Sequence, residues 1–192
     1  MSPAALLTRP QSAAALFTVA SGVLDTPIGT LNLMATSRGL VRVGFGSREG
    51  HPDPMAGDPM AELVESSEPS WAGGGDPAWL DEPIGQLREY FDGSRRQFHL
   101  ALDRRSTPGF YRRVLDSLMT VGYGTTVSYG ELARMAGSPG AARAVGTAMA
   151  TNPIPVVVPC HRVVRSDGSV GQYGGSPDAK SWLLSHERSR HG

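Results

Sequence analysis

The sequence predicts two domains: an α/β domain over 1–105, a small antiparallel sheet with one packed helix, and a mainly helical domain with a helix-turn-helix over 106–192. Three observations carry this. Residues 16–46 alternate apolar and polar side chains, the pattern of half-buried strands. Apolar residues from Ile84, and again from Phe110, recur instead at helical spacing. At Ser106-Thr107-Pro108 the pattern and the charge balance both change: residues 1–105 hold 9 basic and 13 acidic side chains, and 106–192 hold 9 and 5.

In order along the chain, Leu31, Leu33 and Ala35 follow a turn at Pro27-Ile28-Gly29, and Leu40, Val41, Val43 and Phe45 follow Arg38-Gly39, which predicts strands joined by tight turns. Residues 47–75 shift to Gly, Pro, Asp, Glu and Ser, a long surface loop with a short helix near 60–64. Ile84, Leu87, Tyr90 and Phe91 predict a helix that stops at Asp92-Gly93, and Phe98, Leu100 and Leu102 then alternate as a closing strand. In the second domain Phe110, Val114, Leu115 and Leu118 form a helical stripe ending before Gly122-Tyr123-Gly124. Ser128, with Glu131 three residues on, is a capping box opening a short helix that Gly137 ends. Ser138 before Pro139 predicts the N-cap of the next helix, and the two form a helix-turn-helix. An ordinary helical hairpin fits that geometry equally well. Composition favours a DNA groove: Ala141, Ala142, Ala144 and Gly146 leave the second helix little bulk, so its backbone can approach closely, with Arg143 as its one long cation.

The whole chain is neutral, with 18 Lys+Arg against 18 Asp+Glu in 192 residues, so the second half is where a polyanion would dock. A hydrophobic content of 40% excludes a disordered chain. The lone Cys160 excludes an intramolecular disulfide and a multi-cysteine zinc site, and it fits a reducing, cytoplasmic setting. No metal or other cofactor is expected, since the first domain has no Cys and its His51 and His99 form no ligand cluster. Arg9 and Pro10 interrupt the Ala- and Leu-rich start, which argues against a secretory signal, and no stretch is long enough to span a membrane.

The chemistry concentrates at 152–164. An apolar, β-branched run leads into Pro159-Cys160-His161, which predicts a thiol at the end of a buried strand where the chain turns. A thiol of pKa near 8.5 is only a few per cent thiolate at neutral pH, so a nucleophilic cysteine needs a base or a positive charge. His161 and Arg162 supply both types. Adjacent strand residues face opposite ways, so Cys160 and His161 cooperate only if the chain bends or a water bridges them.

Here the sequence resembles the O6-alkylguanine-DNA alkyltransferases, which move alkyl groups from guanine O6 onto their own cysteine. The resemblance rests on Pro159-Cys160-His161-Arg162-Val163-Val164, Tyr129 within Val127-Ser128-Tyr129-Gly130-Glu131-Leu132-Ala133, Ala141-Ala142-Arg143-Ala144-Val145-Gly146 with Asn152-Pro153, and Trp182-Leu183-Leu184 with Glu187. It implies a ribonuclease H-like first domain and a winged-helix-like second domain that binds duplex DNA by its minor groove and flips the damaged base, as reaction at a stacked O6 requires. Cys160 then attacks the alkyl carbon, His161 takes the thiol proton through a water, Glu187 orients the imidazole, and Tyr129 donates to the guanine ring. Arg143 fills the vacated stack; Ser138, Ala141, Ala142, Ala144, Gly146 and Ser166 meet the DNA. Asn152 ties helix to strand by backbone hydrogen bonds. The carbonyls of Cys160 and Val163 accept the exocyclic amine, Tyr173 lies near O6, and Met149, Pro155, Gly171 and Gly175 flank the alkyl group. On that basis Gly171→Ala should exclude large substituents before it slows methyl transfer. The resemblance further implies a monomer acting once, on O6-alkylguanine and O4-alkylthymine. Gly122 and Leu115 replace a frequent proline and tryptophan, which bears on packing, and Gly174, where some members have serine, leaves O6 to a backbone donor. Two other readings are a binding-only relative, which Cys160 argues against, and a cysteine hydrolase, which would not need the Ala-rich helix with Arg143.

Overall fold

A computed structural model describes residues 17–46, 71–105, 107, 109–171, 173–174 and 177–190. β1 (Phe17–Thr18) leads into an antiparallel sheet of β2 (Ala20–Thr26), β3 (Gly29–Thr36) and β4 (Gly39–Phe45), as the alternation predicts. Leu31, Leu33, Ala35 and Leu40 are fully buried on the core side, while Met34 and Val41 join Val19 in a small cluster of their own. β1 pairs in parallel with β5 (Trp71–Ala72), so the end of the predicted 47–75 loop is a strand; residues 47–70, with the predicted short helix and His51, lie outside the described residues. α1 (Asp81–Asp92) follows a 3-10 turn capped by Asp76 and buries Leu87 and Tyr90 completely.

The closing strand predicted at 98–102 does not form. One bridge joins Leu40 to Leu102, with Leu40 N donating to Ala101 O at 2.9 Å. Gly39 makes that approach possible, because a Cβ there would lie 2.1 Å from Ala101 O. Further along, the Gln86 side chain takes the place of a neighbouring strand: its amide donates to His99 O at 3.0 Å, and its oxygen accepts from His99 N at 2.8 Å. With both backbone groups satisfied, the segment has no need of a ladder.

The second domain holds α2 (Gly109–Met119), β6 (Val127–Ser128), α3 (Tyr129–Met135), α4 (Ala142–Ala150), β7 (Val163–Val164) and α5 (Pro177–Ser189), with β6 and β7 parallel. The capping box is present: Ser128 Oγ accepts from Glu131 N at 3.2 Å, and Glu131 Oε2 from Ser128 N at 2.7 Å. Ser138 is not the next N-cap. Gly140 turns left-handed at φ +90°, Ala141 N bonds back to Ser138 O, and the helix starts one turn late with Ala141 as its cap. Leu115 packs in the core at 2% exposure, and Gly122 is exposed, so neither departure from the family pattern opens a hole. One apolar core runs through both domains, from Leu31 and Tyr90 to Leu132, Ile154 and Leu183.

Candidate active site

The run before Cys160 is not a strand. Pro153, Pro155 and Pro159 lack the N–H that a ladder needs, and Val156 sits at φ +73°, a conformation costing a β-branched residue about 1–3 kcal/mol. Full burial of Val156 and Val158 and the 2.9 Å bond from Val158 N to Ile154 O hold it there. Cys160–Arg162 then forms a single 3-10 turn, so the chain bends where cooperation of Cys160 and His161 requires it.

Asn152 braces this turn. Its Oδ1 accepts from Ile154 N at 3.1 Å and its Nδ2 donates to Val158 O at 2.8 Å, the backbone ties the sequence implied. The same amide also donates to Cys160 Sγ at 3.1 Å, so it solvates the sulfur where sulfur charge must appear. Cys160 is 4% exposed, and burial pushes its pKa up; the Asn152 amide and the Lys180 cation offset this only in part. The resting side chain is therefore a thiol at neutral pH.

Lys180 was not among the predicted site residues. It is the only lysine of the chain and is fully buried on α5, its Nζ donating to Val163 O at 2.6 Å, the carbonyl expected to receive the exocyclic amine. Arg162, expected to help the thiol, is committed elsewhere: Nη1 donates to Val121 O at 2.6 Å, while Nε and Nη2 grip Glu187 at 3.0 Å. The charge near the sulfur comes from α5, a segment the sequence reading did not identify as a helix, although Leu183, Leu184 and Glu187 share one face of it.

Glu187 is buried, at 1% exposure. Its Oε1 accepts from His161 Nε2 at 2.9 Å, Arg162 Nη2 at 3.0 Å and Tyr90 Oη at 2.7 Å; its Oε2 accepts from Gly124 N at 3.0 Å. Burial alone would raise this carboxyl's pKa, but the His161 and Arg162 contacts hold it far below the usual carboxylate range. A carboxylate only accepts, so His161 Nε2 carries the proton and Nδ1 keeps the lone pair. Nδ1 is buried with no protein partner among the described residues, and burial lowers the imidazole's pKa despite Glu187. His161 is thus a neutral base with its accepting nitrogen uncommitted.

A cleft of about 530 Å³ is lined by Tyr129, Tyr173, Met149, Gly171 and Gly174 together with Ala142, Arg143, Gly146, Ala150 and Arg165. Four of the eight predicted substrate-binding residues, Tyr173, Met149, Gly171 and Gly174, therefore meet in one place beside Tyr129. Cys160, Val163 and Pro155 are buried and do not line the cleft, Cys160 lying behind it as a neighbour of Tyr129 and Tyr173, and Gly175 lies outside the described residues. Ser138, Ala141 and Ala144 are half-buried around α4, and Ser166 is exposed on the turn after β7. Tyr129 and Tyr173 both have raised pKa values, from burial first and then the neighbouring Cys160, so both hydroxyls remain protonated donors.

Gly171 lines the cleft and also lies against Tyr129. A Cβ there would lie 2.7 Å from Tyr129 Oη and 3.5 Å from its ring, so an alanine would meet Tyr129 itself. Gly171→Ala should leave thermal stability nearly unchanged, because the tip of one side chain can give, yet slow methyl transfer about tenfold by displacing the donor. Single-turnover rates beside melting curves check this; a variant that transfers methyl at the wild-type rate and loses only bulky substrates restores the steric reading.

Two family models match the chain: the 6-O-methylguanine DNA methyltransferase ribonuclease-like domain over 19–104 and the DNA binding domain over 109–189. The methylated-DNA–protein-cysteine methyltransferase of Mycolicibacterium paratuberculosis is 46% identical over 174 residues, covering 88% of this chain and 91% of that protein. The protein of the same description from Rattus norvegicus is 40% identical, covering 86% and 80%. The crystal structure of Mycobacterium tuberculosis O6-methylguanine methyltransferase superposes with a TM-score of 0.73 at 37% identity, covering 90% of this chain and 94% of that one. That organism's OGT in complex with DNA gives 0.71 at 35% identity.

Proposed function

The chain belongs to the 6-O-methylguanine DNA methyltransferase family, and from that membership and the Cys160 site we propose how its residues share the reaction. Its activity is direct reversal of DNA damage, a methyl group passing from methylated DNA to a cysteine of the protein itself. The observation that supports Cys160 as the acceptor is the Asn152 amide on its Sγ at 3.1 Å, behind a cleft lined by Tyr129 and Tyr173, both neighbours of Cys160.

DNA docks through its minor groove on α4, whose small residues permit close approach, and O6-alkylguanine or O4-alkylthymine swings out of the stack into the cleft. The Cys160 proton passes through a water to His161 Nδ1, and Glu187 holds the imidazolium. Sulfur attacks the alkyl carbon as the carbon–oxygen bond breaks, with its electron pair left on the base and Tyr129 donating to the ring. The product is a thioether, a poor leaving group, so each molecule acts once. The protein works as a monomer in the cytoplasm, with the division near 105/106 separating its ribonuclease-like and DNA-binding parts. Weighing the intact protein after incubation with a duplex containing O6-methylguanine tests this: one methyl group per molecule is expected, and an unchanged mass overturns it.

Arg143 projects, exposed, from α4 into the mouth of the cleft. Its planar cation can occupy the gap that a flipped base leaves. Arg143→Ala should slow transfer from duplex DNA about thirtyfold, since unstacking costs a few kcal/mol that the side chain helps offset, and barely alter reaction with free alkylated base. Equal losses on both substrates would reassign Arg143 to the fold.

A further inference from the structure

The first domain reaches Glu187, behind Cys160, through a buried side-chain hydrogen bond. Tyr90 of α1 is completely buried and donates its hydroxyl to Glu187 Oε1 at 2.7 Å, across 97 residues of sequence. That oxygen is the one bonded to His161 Nε2 at 2.9 Å. The tyrosine is fixed in turn. His186, stacked on Trp182 with ring centroids 4.6 Å apart, donates Nε2 to Tyr90 O at 2.8 Å, and Phe91 and Phe98 lie against the Tyr90 ring at 5.4 and 5.2 Å. A second tether, Val43 N to Pro153 O at 2.9 Å, joins β4 to the segment carrying Asn152.

We infer that Tyr90 is a positioning residue for alkyl transfer, through which the first domain sets the orientation and basicity of the Glu187–His161 pair; this rests on the reaction proposed above. Glu187 accepts from His161, Arg162, Tyr90 and Gly124 N, Tyr123 and Tyr173 also lie near the carboxylate, and Lys180 joins Arg162 in opposing a charge on His161. Arg162 and Gly124 anchor the carboxylate from the second domain, and Tyr90 closes the remaining side of Oε1. A hydroxyl drawing on that oxygen leaves less of its charge to stabilise the imidazolium, so Tyr90 restrains the basicity of His161. Burial and Glu187 hold the phenol's pKa well above its ordinary value, so it stays a donor throughout the working range. The N-terminal domain thus completes the relay of hydrogen bonds behind the thiol as well as supporting the fold.

The test is the pH dependence of single-turnover methyl transfer from O6-methylguanine duplex by the full chain. Tyr90→Phe keeps the ring and its packing but frees Oε1. It should move the acid-side midpoint to higher pH as His161 gains basicity, and slow transfer at neutral pH about tenfold because the carboxylate and the imidazole it orients lose their fixed position. Site-specific 3-fluorotyrosine at position 90, a stronger donor of nearly the same shape, should move the midpoint to lower pH; it also keeps the test decisive should the phenylalanine variant not fold. Phe91→Leu loosens the same packing and should leave the midpoint in place. A Tyr90→Phe profile identical to wild type, or a slower rate with an unmoved midpoint, overturns the proposal and leaves Tyr90 a packing residue. A wild-type protein that transfers no methyl overturns the reaction itself.

Discussion

Cys160→Ser should gain no methyl group from O6-methylguanine duplex under conditions in which wild type gains one per molecule on the peptide containing Cys160, while both bind the duplex with similar affinity. The size of the loss follows from the electrostatics of the turn. Burial already raises the Cys160 thiol, and the Asn152 amide and Lys180 cation offset only part of that. A hydroxyl in the same place starts from a far higher pKa, and His161, held neutral by burial, is too weak a base to remove its proton. Oxygen is also a poorer nucleophile toward saturated carbon than sulfur. On the reading proposed above, DNA meets α4 and the rim of the cleft, whose lining does not include the buried Cys160, so binding should survive. With lesion in excess, wild-type conversion should stop at one equivalent. Methylated Cys160→Ser, or continued conversion beyond one equivalent, would remove Cys160 as the acceptor.

What the sequence made legible was local. The alternation of Leu31, Leu33 and Ala35, the Ser128–Glu131 box and the Pro159-Cys160-His161 run each act within a few residues, and each appears in the fold as strand, cap or turn. Where local rules failed, a distant group had taken over the backbone. Gln86 satisfies His99 in place of a strand, and the left-handed Gly140 moves a cap from Ser138 to Ala141. Tyr90 and Lys180 were invisible for the same reason. A tyrosine at core spacing and a single lysine carry no mark of function until the fold brings them to Glu187, 97 residues away, and to Val163 O. Arg162 misled because adjacency to Cys160 suggested assistance, whereas its guanidinium turns to Glu187 and Val121.

Glu187→Gln should be the most destabilising single change at the site, by about 3–5 kcal/mol at neutral pH, the usual result of leaving a buried cation without its partner. The cation is Arg162, 7% exposed and bonded to the carboxylate through Nε and Nη2. A glutamine keeps one accepting oxygen, but its NH2 faces donors in either orientation: Gly124 N and Arg162 Nε in place of Oε2, or His161 Nε2, Arg162 Nη2 and Tyr90 Oη in place of Oε1. The pH dependence gives the sign. Glu187 is held far below its unfolded value, so its stabilisation is fully present above the ordinary carboxylate pKa of about 4.3 and is lost as pH falls from there toward the folded value. The wild-type advantage over Glu187→Gln should therefore persist from neutral pH down to that point and narrow below it. His161 works in a different window. Burial lowers its pKa, so the unfolded chain takes that proton first once pH falls below about 6.5, which destabilises both proteins and cannot itself close the gap. Methyl transfer should fall about a hundredfold, because the imidazolium formed as the thiol ionises loses its counter-charge. Denaturant unfolding of the two proteins between pH 7 and 3, alongside single-turnover rates, decides the matter. A stability gap that stays constant through the carboxylate range would mean that Glu187 is no ionised hub, and the relay behind Cys160 would have to be redrawn.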